Sequence, residues 1–516
     1  MHQSSSLETA PRHDASSPNV VVCTKLIQDI SFGIQRDAGS LRYSQLCLDV
    51  LLRDRYSTLS LNGGTTWLEL ISQLSSTNLA VSTALASFGA VYEAVILRRT
   101  RSNILLASTQ YSIALSALQA EIAFHYQGPI PSFLASVVLA AAQVIQRHYG
   151  NSLTHLLGAF TVLTKTISRR LENNEPPDDV SPCMGLSKQK SNCAAHLYDF
   201  AQSIDLLTAS YVLGNPPVLP SSFNFEELNQ VSSRMLLESG AHSLQSLLHH
   251  CYHIANAVSH YKYLPRYRMP TDLALEQGRC IAHLSEWLAR CDDEFQNRNI
   301  RETYLINRAQ CLSILIYLSA MSSPLELTYD IYATYFEQII QHAEEVLTGP
   351  STSSPMPLRG FRVQPGLAQA LYITSVKYRN STQRRKAIDL LSKVGMEGPW
   401  DNDLMCKVAR RAVEIEESRS LSSIMSKQSR CKSEPSLDMD YMDYSSPVNV
   451  YIPEQHRVHG CGVDSEAGDL EANKPASIEF SLCRDVELMV KSENPESPGH
   501  WIKWTEPMMV GAGPFS

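Results

Sequence analysis

The chain has 516 residues, of which 44% are hydrophobic, and its formal net charge is -8. That hydrophobic share is ordinary for a protein that buries a core, and the acidic balance argues against a surface built to neutralise DNA phosphates. Twelve cysteines are scattered along the chain with no two separated by only two residues. This pattern is typical of reduced, intracellular thiols, and it omits the close pair with which zinc sites usually begin.

The N-terminal segment, residues 1–39, is predicted to be disordered, because it opens on a run rich in Ser, Pro and His. It begins without the apolar run of a signal peptide. The most apolar stretch of the chain, residues 133–145, is too short to cross a bilayer, which needs about 20 residues. We therefore expect no membrane association.

From residue 40 to residue 418, apolar residues recur three and four positions apart, which predicts helices joined by short turns. Val81, Leu85, Phe88 and Tyr92 mark one such helix face. Glycine and proline pairs separate the segments, with Gly-Asn at 150–151 ending a helix. The predicted helices cover residues 78–98, 102–123, 132–148, 152–170, 191–212, 225–262, 271–294, 301–321, 326–348, 363–393 and 401–418. The pattern predicts an all-α fold, with one large helical domain around one continuous core.

The C-terminal segment, residues 419–516, differs in composition, because Ser, Asp, Glu and Pro dominate it and apolar periodicity fades. It is therefore predicted to be an acidic, largely disordered tail. Isolated aromatic residues such as Tyr441 and Trp501 fit a disordered activation segment. They fit a solvated tail without a partner equally well.

Motifs for catalysis, nucleotide binding and metal binding are absent from the sequence. The glycine pair Gly63-Gly64 belongs to no phosphate-binding loop, and no GxSxG run occurs. His249, His250 and His253 form the best histidine group, but no HExxH glutamate accompanies them, and a half-exposed helix surface is the simpler interpretation. We therefore predict no catalytic, cofactor-binding or metal-binding residue, no cofactor, and no enzymatic activity.

Two basic runs, residues 98–101 and 377–386, have the composition of nuclear-import patches. Charge runs of this density are more often helix faces whose charges are paired or solvated. We therefore prefer the structural interpretation for both runs.

Four blocks of sequence follow one another in a recognisable order. They are residues 78–93 with 110–118, residues 143–158, residues 200–205 with 214–217 and 284–287, and residues 329–336 with 371–391 and 397–401. The most specific are Arg-Arg-x-Ala-Ile-x-Leu-Leu at 384–391 and Glu-Gly-x-Trp at 397–400. Arg384 and Arg385 are expected to pair with neighbouring acids, and Gly398 and Trp400 to form a turn and an anchor. Together the blocks resemble the regulatory domain of the fungal zinc-cluster transcription factors.

The resemblance implies a helical regulatory domain over about residues 40–418, a nuclear location and a role in transcription. Because such regulators often accompany biosynthetic genes, it also suggests control of a secondary-metabolite gene cluster. The family's six-cysteine DNA-binding module has no counterpart here, since Cys23 is the only cysteine in the first 40 residues and the module needs six thiolates to fold.

We therefore expect a co-regulator that contacts other transcription factors or the transcription machinery. It should lack sequence-specific DNA binding of its own, and the resemblance leaves homo- and hetero-dimers open. Two alternatives stand beside this hypothesis. One is a truncated form of a DNA-binding zinc-cluster factor, and the other is a helical small-molecule-binding protein or enzyme.

Overall fold

Helices dominate the described part of the chain, which confirms the prediction of an all-α fold. A computed structural model describes residues 38–52, 67–97, 100–124, 129–172, 191–211, 216–221, 240–265, 268–290, 298–348, 361–430, 450–463, 475–492, 494–495, 497 and 499–509. The predicted disordered segment 1–39 lies outside these residues, except for its last two residues, which begin the first helix. Residues 98–99 of the first basic run lie outside them as well.

The N-terminal half is built from seven described helices. They are α1 (Ala38–Leu52), α2 (Trp67–Thr77), α3 (Leu79–Tyr92), α4 (Arg101–Phe124), α5 (Pro129–Ile145), α6 (Tyr149–Glu172) and α7 (Ser191–Tyr211). Helix α3 begins where the Asn78 side chain accepts a hydrogen bond from the Val81 N–H, as asparagine N-caps do. It continues into a π-helical turn, Glu93–Leu97.

The C-terminal half contains eight more described helices. They are α8 (Gly240–Ser259), α9 (Thr271–Arg290), α10 (Arg298–Ala320), α11 (Ala333–Thr348), α12 (Ala368–Lys377), α13 (Ser381–Leu391), α14 (Asn402–Arg430) and α15 (Val486–Val490). Two 3₁₀ turns, Glu326–Tyr332 and Glu454–His456, precede α11 and the C-terminal sheet. Two short strands, β1 (Phe361–Arg362) and β2 (Met396–Glu397), pair in parallel. A pair of two-residue strands does not change the all-α character of the domain.

The predicted end of a helix at Gly150 is wrong, because Gly150 lies in the first turn of α6. The break falls at Arg147, whose φ of 65° places it in the left-handed region. A non-glycine residue in this region is strained. Arg147 is held there by its guanidinium, which lies 2.7 Å from the buried Asp401 carboxylate.

The predicted helix 363–393 is in fact two helices, α12 and α13. Asn380 separates them, because its extended backbone and its side chain, which accepts from the Gln383 N–H, form the N-cap of α13. The start of α12 is set by a distant side chain. The Glu397 carboxylate accepts hydrogen bonds from the backbone N–H groups of residues 366–368, which satisfies donors that a helix start leaves without partners.

Buried side chains form two large clusters, not the single continuous core that the periodicity predicts. Helices α1–α7 build the first cluster, around residues such as Phe88 and Phe133. Helices α8–α14 and the C-terminal sheet build the second. Helix α7 joins the two, since Phe200 belongs to the first cluster and Leu207 to the second. A single core stops growing beyond about 250–300 residues, so a chain of this length divides its buried surface.

The prediction of a largely disordered tail from residue 419 is wrong for its described residues, because residues 419–430 continue helix α14 and a sheet follows beyond residue 450. Three antiparallel strands, β3 (Val458–Val463), β4 (Pro475–Cys483) and β5 (Trp501–Met509), form a sheet in the order β3-β4-β5. Ile478, Phe480 and Leu482 alternate along β4 and enter the second core cluster. This is the period-2 pattern of a half-buried strand, which the acidic composition of the segment concealed. Residues 431–449, 464–474, 493, 496, 498 and 510–516 of the predicted tail lie outside the described residues.

One stretch of the described residues, Leu79–Leu97, is long and apolar enough to cross a bilayer, although the sequence analysis singled out residues 133–145. Inside the protein, 78% of its most apolar window is buried. A helix that is apolar all round and packed at the centre of a core passes the same test. The stretch is therefore weak evidence for a membrane span.

Candidate functional site

The three histidines of helix α8 hydrogen-bond to separate partners. His249 is fully buried, and its Nε2 donates to the Asp205 carboxylate at 2.9 Å. His253 Nε2 donates to the Leu219 carbonyl at 2.8 Å, and His250 bonds to a serine and a glutamate of neighbouring segments. The half-exposed surface predicted for this group is therefore wrong for His249. Among the described residues, no three or more His, Cys, Asp or Glu side chains are grouped so that they could hold a metal ion.

The basic run 377–386 belongs to ion pairs inside and along the helical core. Arg384, which is fully buried, pairs with Glu416, and the more exposed Arg385 pairs with Glu417. Both pairings follow the expectation that these arginines meet neighbouring acids. The run is therefore explained by packing, in line with the structural interpretation of its charges.

Glu326 lies at the centre of a buried ion-pair network. Its side chain has no exposed surface, and Oε1 lies 3.1 Å from Lys262 Nζ. Its Oε2 lies 2.7 Å from Lys377 Nζ and 3.2 Å from Arg379 Nη2. Three cations therefore share this one carboxylate.

Glu416, from helix α14, brings a second carboxylate to the cluster. Its Oε1 lies 3.1 Å from Arg379 Nη2, and its Oε2 lies 2.8 Å from Arg384 Nη1. Oε1 also accepts a hydrogen bond from the Val458 N–H at 2.9 Å. Because Arg379 contacts both carboxylates, Glu326 and Glu416 form one network.

The network fastens strand β3 to the helical core. Lys377 Nζ, at the end of α12, donates to the carbonyl oxygens of Val458 at 3.3 Å and His459 at 3.0 Å. Just before the strand, Arg457 donates to both carboxylate oxygens of Asp330, each at 2.7 Å. Docking of the C-terminal sheet therefore depends on charges carried by the helices.

The network carboxylates are ionised at neutral pH. Burial by itself would raise the pKa of Glu326, but Lys377 and Lys262 outweigh it and hold that pKa well below its usual value. Burial would also raise the pKa of Glu416, but Arg379 and Arg384 outweigh it, so the pKa of Glu416 is lowered as well. Burial lowers the pKa of His459, which favours its neutral form.

Acidification is expected to destabilise the protein in two stages. The lowered pKa of His459 means that the unfolded chain takes up this proton first as pH falls below 6.5. The lowered pKa values of Glu326 and Glu416 contribute stability above pH 4.5, which is lost as pH falls through their folded-state pKa values. Burial raises the pKa of Glu397, which acts in the opposite sense and offsets part of the loss.

Urea unfolding at about pH 7, about pH 5.5 and about pH 4 measures this dependence. We expect the free energy of unfolding to fall at each step. Glu326→Gln should make the stage below pH 4.5 shallower, whereas Glu487→Gln, at an exposed position, should leave it unchanged. Stability that stays constant across this range would contradict the expected linkage.

A cavity of about 600 Å³ lies between the two core clusters. Its walls come from α5, α6 and α7 on one side and from α8, α10 and α12 on the other. Strands β1 and β3, the 3₁₀ turn before α11, residues 398–400 and Met405 of α14 complete them. The volume falls within the range of about 300–1,000 Å³ that small-molecule sites occupy. The aromatic residues of the lining are Tyr149, Tyr211, Tyr252, Tyr317, Tyr329, Phe361, Tyr372 and Trp400.

Trp400 is the anchor of this aromatic wall. Its ring meets those of Tyr211 and Tyr372 edge to face, with centroids 5.7 Å and 5.5 Å away. Tyr211 in turn lies 5.7 Å from Tyr149. Gly398, two residues before the tryptophan, has a φ of 49°, which favours glycine. The turn and the anchor predicted from Glu-Gly-x-Trp are both confirmed.

Several polar groups of the wall are bonded to other protein groups. Tyr372 Oη donates to the Cys461 carbonyl at 3.0 Å, and Trp400 Nε1 donates to Ser210 Oγ at 3.2 Å. The Gln369 amide donates to a tyrosine hydroxyl of the wall. These bonds fix the orientation of the aromatic side chains and leave ring faces and edges as contact surface.

The hydroxyl groups of Tyr149 and Tyr211 are exceptions, since both are buried and neither has a hydrogen-bond partner among the described residues. A buried hydroxyl without a partner costs about 1–3 kcal/mol. Burial raises the pKa of both, and the Asp401 carboxylate adds to that effect. Both hydroxyls therefore stay protonated at neutral pH.

The chemistry of the described lining residues suits binding better than proton transfer. Burial raises the pKa of Tyr317 to about 12, so its hydroxyl is not a base at neutral pH. Burial also lowers the pKa of Lys377, but Glu326 opposes that effect. The Lys377 ammonium has three acceptors, Glu326 and the carbonyls of Val458 and His459, and these match its three N–H donors.

The sequence analysis did not identify the cavity or the two network carboxylates. The chain has 22 tyrosines, and no spacing distinguishes those that line the cavity. One signal was present, because Tyr329, Tyr372 and Trp400 all lie in the C-terminal blocks of the resemblance. Glu416 lies outside every block.

Comparison with known proteins adds no assignment for the cavity or for the network. No protein-family model, no curated protein and no solved structure matches this chain.

Proposed function

We propose that the protein regulates transcription through contacts with other proteins, as a co-regulator of the kind that its resemblance to the fungal zinc-cluster factors implies. The observation that carries this proposal is the colinear set of blocks between residues 78 and 401. Members of the C-terminal blocks also lie together in space. Tyr329, Tyr372 and Trp400 line one cavity, and Glu397 caps the helix that carries Tyr372. Residues that make the blocks recognisable therefore share one packed region.

A partner supplies the DNA contacts in this proposal. The first 40 residues contain Cys23 alone, and no two cysteines of the chain are separated by only two residues. A net charge of -8 also opposes approach to a polyanion. The proposed place of action is the nucleus, and the proposed targets are genes of a secondary-metabolite cluster.

Helix α4 offers a surface for contacts with other proteins. Of its 24 residues only Arg101 and Glu121 are charged. Leu105, Ile113 and Phe124 are large apolar residues that stay 63%, 47% and 66% exposed. Exposed apolar side chains grouped on one element are typical of interaction surfaces, and in this proposal helix α4 contacts another transcription regulator.

The purified full-length chain is expected to show no sequence-specific DNA binding. Specific recognition needs side chains at base edges supported by Lys and Arg at the phosphates, and neither a zinc cluster nor a basic excess is present to provide them. A gel shift that compares one target promoter with a scrambled sequence tests this expectation. Chromatin occupancy should also disappear when the DNA-binding partner is deleted.

A gel shift in which the protein alone prefers the promoter over the scrambled sequence would refute the co-regulator proposal. Binding that ignores sequence and vanishes at moderate salt would not, because it reports only phosphate contacts. As a control, the amount of folded protein is measured after the partner is deleted. This amount should not change, because the helical core is expected to fold without the partner.

A second candidate function, from another class, is small-molecule binding by a helical protein. The 600 Å³ cavity with its aromatic wall favours it. The two candidates are compatible, since a regulator can respond to a bound effector.

A further inference from the structure

The cavity wall combines aromatic surface with one charged side chain that is already paired. Lys377 lies at the wall with its Nζ 2.7 Å from the Glu326 carboxylate. His459 also lines the cavity, and burial lowers its pKa, which favours the neutral imidazole. Among the described lining residues, therefore, no unpaired cation or anion faces an incoming molecule.

This arrangement disfavours a charged ligand. An ion that enters the cavity gives up its hydration, and only an opposite charge or several hydrogen bonds can offset that loss. Lys377 cannot serve without leaving Glu326, whose other partners hold it inside the network. An uncharged molecule meets no such penalty.

The same arrangement favours an aromatic ligand. Eight aromatic side chains from five helices, strand β1 and two connecting segments surround the space, and several of their rings already pack edge to face and in tilted pairs. Aromatic rings prefer these offset and T-shaped contacts with one another. A flat ring system that enters the cavity would extend a packing pattern that is already present.

We propose that the cavity between the two core clusters binds an uncharged, predominantly aromatic small molecule of about two to four fused rings. The inference rests on the second candidate function, small-molecule binding, and not on the role in transcription. The ligand contacts both core clusters and strand β3, because residues of all three line the cavity. Its binding therefore also raises the thermal stability of the folded chain.

The probe for this site is Nile red, an uncharged fused aromatic dye whose fluorescence rises in apolar surroundings. Titration of the full-length protein should show saturable binding with one site per chain. Two competitors have nearly the same size and differ in charge: 9-fluorenone-4-carboxamide is uncharged, and 9-fluorenone-4-carboxylate is an anion. The amide should displace the dye, and the carboxylate should compete at least about tenfold more weakly, which corresponds to about 1.4 kcal/mol.

A matched pair of variants locates the site. Ile373 lines the cavity, so Ile373→Trp should fill it and weaken dye binding at least about tenfold. Ile331 is 72% exposed and lies outside the cavity, so Ile331→Trp should leave binding within about twofold. Thr208→Phe, from another wall, repeats the test if Ile373→Trp does not fold.

Three results would overturn the proposal. If the folded wild-type chain showed no saturable Nile red binding, both the proposed aromatic ligand and the second candidate function, small-molecule binding, would be ruled out. Equal competition by the amide and the carboxylate would rule out the preference for an uncharged ligand and leave small-molecule binding in place. Binding that Ile373→Trp and Thr208→Phe leave unchanged, in folded proteins, would place the dye outside the cavity.

Discussion

Replacement of Glu416 by alanine is expected to lower the free energy of unfolding by about 3–5 kcal/mol, because it leaves the buried Arg384 without its counter-charge and removes one of the two carboxylates that Arg379 contacts. Arg384 has no exposed surface, and its Nη1 lies 2.8 Å from the Glu416 carboxylate. Arg379 Nη2, which is also buried, lies 3.1 Å away. Without Glu416, Arg384 keeps a hydrogen bond to the Ser375 carbonyl, which carries no full charge. Urea unfolding followed by circular dichroism measures the loss.

The neighbouring Glu417 provides a matched control on the same helix. It pairs with Arg385, whose side chain is 45% exposed, and its own side chain is 14% exposed and accepts a hydrogen bond from Ser381 Oγ at 2.9 Å. Partly exposed pairs contribute about 0–1 kcal/mol and a hydrogen bond about 1 kcal/mol, so Glu417→Ala should cost about 1–2 kcal/mol, less than Glu416→Ala. Glu416→Gln keeps a hydrogen-bond acceptor without the charge and should fall between the two alanine variants. A loss in Glu416→Ala no larger than that in Glu417→Ala would show that the buried network does not stabilise the fold.

Glu416→Ala is also expected to have a local effect on the C-terminal sheet. The Val458 N–H donates to the Glu416 carboxylate at 2.9 Å. Hydrogen exchange at this amide should therefore accelerate more in Glu416→Ala than at amides of the first core cluster. An equal acceleration everywhere would mean that the network stabilises the whole molecule without any special role in docking the sheet.

Gly89→Ala is expected to cost about 3 kcal/mol or more, although alanine is the better helix former. A Cβ atom at this position would lie 2.0 Å from the Tyr43 carbonyl oxygen and 2.7 Å from the Tyr43 carbonyl carbon. These are backbone atoms of α1, so no side-chain rotation can relieve the clash. Helices α1 and α3 would have to move apart and disturb the first core cluster.

Gly158→Ala is the matched control, because it makes the same substitution inside helix α6. No heavy atom lies within 4 Å of a Cβ at Gly158. The variant should be more stable than the wild type by about 0.5–1 kcal/mol, through the lower entropy of the unfolded chain. Urea unfolding of both variants should give effects of opposite sign. Equal effects would contradict the close approach of α1 and α3.

The helices were predictable because helix formation depends on residues close together in sequence. The face marked by Val81, Leu85 and Phe88 is fully buried, as its spacing predicts. Where a distant residue intervenes, local prediction is wrong. The helix is interrupted at Arg147, before Gly150, and the Arg147 side chain forms an ion pair with Asp401, which is distant in sequence.

The C-terminal sheet was missed for a related reason. Its alternating residues, such as Ile478 and Phe480, occupy a short strand within an acidic segment, and composition outweighed the pattern. Strand pairing also joins segments that are apart in sequence, such as Cys461 with Phe480 and Phe480 with Trp504. A period of two over a few residues is a weak signal until its partner strands are known.

The sequence by itself determined that the protein is helical, where most of its helices lie, and that Arg384 and Arg385 meet acids. Only the tertiary structure decided which charges are buried. Glu326 and Glu416 look like the residues of solvated helix faces in the sequence, because the burial of a charge depends on which segments pack over it. The cavity is decided in the same way, since its aromatic rings come from elements that no spacing connects and that meet only where the two cores join.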